Sequence, residues 1–168
     1  RQDSFVTDKF LYSLFRKYAA TIIRQYDERN RLMSFSSVFE TLDWVPLIEC
    51  DYVEANCKGI RSYRTFGRTE SSIPVFTEGK YGPMVRSITS LDGSVSFQLT
   101  NLDNYVTLSK QKNFKFNKQQ YCWYLNDYLY FPFRDNEVMP PAVRIEGMFE
   151  EDISMYKCNY DTKCCPRQ

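Results

Sequence analysis

Six cysteines, a run of three adjacent acids and two basic clusters interleaved with aromatic rings are the side chains here whose types could do chemistry. Cys50, Cys57, Cys158 and Cys164 or Cys165 would supply a four-thiolate zinc site if the tail folded back towards the first strand. Their spacings are longer than the CxxC knuckles that mark such sites, and Cys164-Cys165 is an adjacent pair that seldom bonds to itself. Reduced thiols, Cys122 among them, are the plainer expectation in a chain large enough to fold without staples. Glu150-Glu151-Asp152 offers the paired carboxylates of a glycosidase, against the reading that acids at a helix start are a solvated first turn.

Lys110, Lys112, Lys115 and Lys118 alternate with Phe114 and Phe116, a pattern suited to backbone phosphates plus stacked bases, although lysines on a strand edge also discourage aggregation. Arg61, Arg64 and Arg68 stand beside Tyr63 and Phe66 in a second cluster, which a polar strand edge or intersubunit ion pairs would equally explain. The chain has no histidine. Ser-His-Asp and Cys-His catalysis and histidine-containing zinc sites are therefore excluded within it. Its six glycines are too scattered for a phosphate loop or a dinucleotide fingerprint. These residues call for no catalysis, no cofactor and no metal.

The elements that would position them are of two textures. Phe10, Leu11, Leu14, Phe15, Tyr18, Ala19, Ile22, Ile23 and Tyr26 recur at helical spacing and predict a helix over residues 7–26, with Thr7 as N-cap and Asp8 in the first turn. Ser37-Val38-Phe39-Glu40 matches a capping box and predicts a second, shorter helix over about Val38 to Asp43, ended by Pro46. From Leu47 the pattern turns to β, with strands expected near 47–50, 60–63, 73–76, 84–89, 95–100, 105–108 and 142–149. Asp92-Gly93 marks a hairpin, Gly79, Gly82-Pro83 and Pro140-Pro141 mark loops, and Glu150 opens a short helix. Ala142, Arg144, Glu146 and Met148 face one way on the last strand, and Val143, Ile145, Gly147 and Phe149 the other.

Between these lies Tyr121 to Phe131, an aromatic β-hairpin that turns at Asn126-Asp127. Successive side chains on a strand point to opposite faces, so these rings exceed what one inner face can bury. A second sheet, a neighbouring subunit or a ligand must cover the remainder. The chain as a whole is 17% aromatic, with 13 Phe and 13 Tyr, which favours an interaction surface. With 22 basic and 21 acidic residues, formal net charge +1, no global field draws it to nucleic acid or anionic lipid. Its apolar runs are far shorter than the roughly 20 residues that span a bilayer, and no membrane contact is expected. The absence of an initiator Met at Arg1 suggests a segment of a longer polypeptide.

The predicted fold is α+β: an N-terminal helical segment over 1–45, a mainly antiparallel β-sandwich or small β-barrel over 46–157, and an irregular tail over 158–168. The order of these features resembles virion structural proteins of crAss-like bacteriophages, of the head-to-tail connector and tail rings. The resemblance rests on the helix at 7–26, Trp44-Val45-Pro46-Leu47-Ile48-Glu49, the hairpin YCWYLNDYLYFP from Tyr121, RIEGMFEED from Arg144 and the ending CNYDTKCCPRQ from Cys158, and it covers most of the chain. It implies a non-enzymatic ring subunit of the virion, assembled in the bacterial host cytoplasm. Its partners would be copies of itself, the portal and tail subunits, with passing, non-specific contact to genomic DNA in a conducting lumen. A ring of identical subunits joins two different patches. The candidate patches are the helix, through Phe10, Leu14, Tyr18 and Ile22, and the hairpin, through Tyr121, Trp123, Tyr128 and Tyr130; Lys110, Lys112, Lys115 and Lys118 would face DNA. The helix could instead pack on its own domain. A rival reading is a carbohydrate-binding β-sandwich with Trp123, Tyr124 or Tyr128 in a flat exposed row, and a third is a glycan-active enzyme joining Glu146, Glu150 or Asp152 to that row.

Overall fold

A computed structural model describes residues 8–27, 39–50, 65–79, 82–134 and 137–156. The predicted N-terminal helix is present as α1 (Asp8–Asp27), with Asp8 in its first turn. The expected second helix is not. Residues 40–43 belong instead to strand β1 (Glu40–Glu49), which starts well before the expected boundary at 45/46. The physical reason lies in its register, which shifts between Leu42 and Val45 where β1 pairs with the last strand. An extra residue in a strand turns the period of two into a step of three, which reads as helical spacing.

The other strands are β2 (Thr65–Thr69), β3 (Glu78–Gly79), β4 (Gly82–Pro83), β5 (Val85–Ser90), β6 (Phe97–Thr100), β7 (Gln120–Leu125), β8 (Tyr128–Phe133) and β9 (Ala142–Gly147). Seven of them form one sheet in the order β5-β9-β1-β2-β8-β7-β6, while β3 and β4 make a two-stranded ribbon. Every neighbouring pair in the large sheet is antiparallel except β6 and β7. The edge strands β5 and β6 meet through a bridge between Thr89 and Ser96, so the sheet is nearly closed and barrel-like.

Parallel neighbours need a crossover, and here α2 (Leu102–Ser109) provides it. This corrects the strand expected over 105–108. Asn101 is the N-cap, accepting a hydrogen bond from the Asn104 amide at 2.7 Å. The expected strand over 73–76 reduces to a single bridge from Phe76 to Phe149. The short helix after Glu150 is a 3-10 turn, Ile153–Met155, capped by Asp152. The strand expected over 60–63, the Thr7 cap, Cys57, Arg61, Arg64 and the tail with Cys158, Cys164 and Cys165 lie outside the described residues.

Alternation along the strands divides the apolar side chains into two layers. Inside the sheet pack Leu42, Ile88, Phe97, Cys122, Leu129, Phe131, Phe133, Val143 and Ile145, closed off by Ile153. On the outer face of β2, β7 and β8 lie Phe66, Tyr121, Trp123 and Tyr130, roofed by Tyr105 of α2. On β9 the predicted alternation holds in the middle, where Val143 and Ile145 are buried, Arg144 is exposed and Glu146 is half-buried, but not at the ends of the expected strand, where Ala142 and Met148 of the Arg144 face are buried too. Gly147 leaves room that Phe76 fills, since a Cβ there would sit 3.0 Å from that ring.

Candidate assembly surface

The hairpin forms where the sequence places it, and Asn126 and Asp127 both adopt positive φ, at 50° and 63°. That conformation is the one tight hairpin turns require, and Asn and Asp tolerate it. The Tyr124 hydroxyl donates to Asp127 Oδ1 at 2.8 Å and pins the turn. Burial, followed by this bond to a carboxylate, pushes the Tyr124 hydroxyl pKa upward.

Three rings of this hairpin, Tyr121, Trp123 and Tyr130, are nonetheless covered within the chain itself. Phe66, Trp123 and Tyr130 form a triangle of near-parallel rings, with centroids 5.7, 5.8 and 6.2 Å apart, and Tyr105 covers Trp123 from the helix side. Phe114 of the 3-10 turn Phe114–Phe116 stacks on Tyr121 at 6.1 Å. Tyr121, Trp123 and Tyr130 are only 8%, 1% and 3% exposed as a result. The covering surface that the sequence demands is supplied by the chain's own α2, through Tyr105, where a strand was expected. Tyr128 is half-buried beneath the guanidinium of Arg68, 4.7 Å from its ring centroid. The flat solvent-facing row required for sugar binding is therefore not formed by Trp123, Tyr124 or Tyr128.

The other predicted patch behaves in the opposite way. α1 rests on the body through Arg16, Ala20 and Ile23, which border Met148 and Glu150, and Ile23 packs against Met84 and Met148. Arg16 also reaches Asp152 at 3.8 Å. Its apolar stripe turns outward: Phe10 is 53% exposed, Tyr12 62%, Phe15 73%, Tyr18 64% and Ile22 52%, with Leu11 exposed and Leu14 half-buried. A helix normally buries its apolar face and shows its polar one. Among the described side chains Ile23 packs on the body and Arg16 reaches it, while most of the large apolar ones stay exposed.

The acids do not assemble. Glu146 is held by Arg86 at 3.0 Å and by the Ser87 hydroxyl at 3.3 Å, while Asp152 accepts from the Ser154 amide at 2.9 Å. No group of three or more His, Cys, Asp or Glu suited to a metal occurs among the described residues. Cys50 is half-buried; Cys122 is a fully buried thiol, and burial pushes its pKa upward. No helix is long and apolar enough to cross a membrane among the described residues.

Lys110, Lys112 and Lys118 are exposed around the loop that follows α2, and Phe116 between them is 74% exposed. Of Lys115 only the backbone is described, within the 3-10 turn. Phe114 is the anchored ring of the pair, with the Arg134 guanidinium 4.6 Å over it and an Arg134 hydrogen bond to the Asn117 carbonyl. One feature the sequence reading missed is a groove of about 590 Å³ between the β5–β6 turn and residues 137–142, bordered by Val138. Val138 is 88% exposed. Pro140-Pro141 marked a loop there, without signalling that it would frame a concave surface.

A self-covered aromatic β body that carries an outward-facing apolar helix defines a protein made to pack against other proteins. A family model described as phage tail ring protein 2 matches residues 1–166, and the chain belongs to this family of crAss-like phage tail ring proteins. It is accordingly a phage tail structural protein. No curated protein matches the chain.

Proposed function

We propose that the chain is a non-enzymatic, repeated subunit of a closed ring in the phage tail or head-to-tail connector, working by steric packing. The observation that carries this reading is the outward stripe of α1, exposed while the other large rings among the described residues are mostly covered. Burying one large apolar side chain contributes about 1.5–3 kcal/mol. Six such residues, Phe10, Leu11, Tyr12, Phe15, Tyr18 and Ile22, offset an association cost of about 4–15 kcal/mol. Phe10, Leu14, Tyr18 and Ile22 thus keep their place as interface residues, joined by Phe15, whereas Tyr121, Trp123 and Tyr130 act inside the subunit.

The ring stacks in the virion on portal and tail partners after assembly in the host cytoplasm. Lys110, Lys112, Lys115 and Lys118 face the lumen and touch passing DNA through its phosphates, without reading sequence. The test is mass photometry and negative-stain electron microscopy of the purified chain at micromolar concentration. The parent forms a discrete ring-sized oligomer, and Phe15→Asp with Tyr18→Asp reduces it to monomer with an unchanged circular dichroism spectrum. A parent that stays monomeric, also with its virion partners, overturns the reading.

A further inference from the structure

We infer that the seat for the exposed face of α1 is the groove between the β5–β6 turn and residues 137–142 of a second copy of the chain, giving a head-to-tail contact. The inference rests on the ring reading above and names the two patches that the ring joins.

The two surfaces lie at opposite ends of the sheet. α1 packs beside Met148 and Glu150, just past the end of β9, whereas the groove is bordered by Ala142 at its start and by Ser90, at the far end of β5. Val85 pairs with Gly147 and Ser90 with Val143, so β5 and β9 run the full distance between them. At about 3.4 Å per residue, the six steps from Ala142 to Met148 separate the two surfaces by roughly 20 Å. Two different patches at opposite ends of one body generate a heterologous contact, which closes into a ring when the rotation permits.

The chemistry of the surfaces is complementary. Leu91, Val95, Val138, Met139, Pro140 and Pro141 give the groove apolar walls that suit Phe15 and Ile22. Among the described residues its lining carries two carboxylates, Asp92 and an Arg134-paired Glu137, and no lysine or arginine. α1 carries the basic Lys17 on its outward side, whereas Arg16 is engaged with Asp152 of its own body. Lys17 is exposed next to Tyr18, and Asp92 is exposed at the groove rim. Gln120, also in the lining, has a buried Oε1 without a hydrogen-bond partner.

Two single variants and their mixture test this. Phe15→Asp spoils the helix and leaves the groove intact; Val138→Asp does the reverse. Both sites are largely exposed, so circular dichroism and melting temperature stay at parental values. Each variant alone is expected to run as a monomer, while an equimolar mixture forms a 1:1 dimer of twice the monomer mass and nothing larger, because only one intact helix meets one intact groove. Photo-crosslinking from benzoylphenylalanine at position 15 in parental rings then maps to peptides covering 90–95 or 137–142 of another copy. If Val138→Asp assembles like the parent, if the mixture stays monomeric, or if the crosslinks map elsewhere, the groove is not the seat, although the ring stands. If the parent does not oligomerise, both readings fall.

Discussion

The ring of Tyr105 lies 5.1 Å from that of Trp123, tilted by 33°. It joins the crossover helix to the aromatic hairpin and turns an outer sheet face into a second core. Because Tyr105 and Trp123 are 3% and 1% exposed, the pair is interior on both sides. Tyr105→Ala should open a cavity above Trp123 and destabilise the fold by about 3 kcal/mol. Urea denaturation checks the loss, and a red shift of tryptophan emission in the folded variant checks the cause. A loss below about 1 kcal/mol, the range of ordinary surface changes and small repackings, would mean that α2 is not what covers the hairpin.

The hairpin turn gives a prediction of opposite sign at neighbouring chemistry. Asn126 holds φ at 50°, which a β-branched side chain rarely adopts. Asn126→Val should cost about 1–3 kcal/mol through backbone strain. Asn126→Gly fits the same conformation and should be neutral or slightly stabilising. Thermal melts of both variants measure the difference, which vanishes only if the turn is free to change type.

Much of the scaffold was legible because its signals are local. The 3.6-residue stripe from Phe10 to Ile22 marked α1, and Asn126-Asp127 between two aromatic runs marked the hairpin. The failures have physical causes as well. At Glu40 to Asp43 the capping box from Ser37 to Glu40 suggested a helix where β1 forms, and the register shift between Leu42 and Val45 breaks the period of two that marks a strand. At Tyr105 to Leu108, β-branched Val106 and Thr107 suggested a strand, although Asn101 as N-cap and Asp103 in the first turn were signals for a helix. The assembly surface was half legible for a further reason. Periodicity shows that a face is apolar but not what covers it, so the hairpin rings and the α1 stripe read alike until the fold placed α2 over one and, among the described residues, no element over the outward rings of the other.

The β5–β6 turn ties this fold to pH. Asp92 Oδ1 accepts from the Ser90 hydroxyl at 2.5 Å and from the Ser94 amide at 3.2 Å. Ser90 Oγ in turn accepts from the Val95 amide at 3.0 Å, which locks the turn that frames the groove. Hydrogen bonding by Ser90, then Ser94, stabilises the carboxylate and lowers its pKa from 3.8 to about 2. A folded-state pKa below the unfolded one contributes stability that is fully present above the unfolded value and is lost as pH falls through the folded value. The contribution of Asp92 is therefore complete above about pH 4 and disappears between pH 3.8 and about 2. Asp92→Asn should flatten the acid limb of stability in that window and leave the pH dependence above pH 5 unchanged. Carbon-detected NMR titration of the Asp92 carboxyl, run beside urea melts of both proteins from pH 2 to 6, checks both parts. An Asp92 that titrates near 3.8 would show that the serine bonds are absent in solution, and with them the preformed edge of the groove.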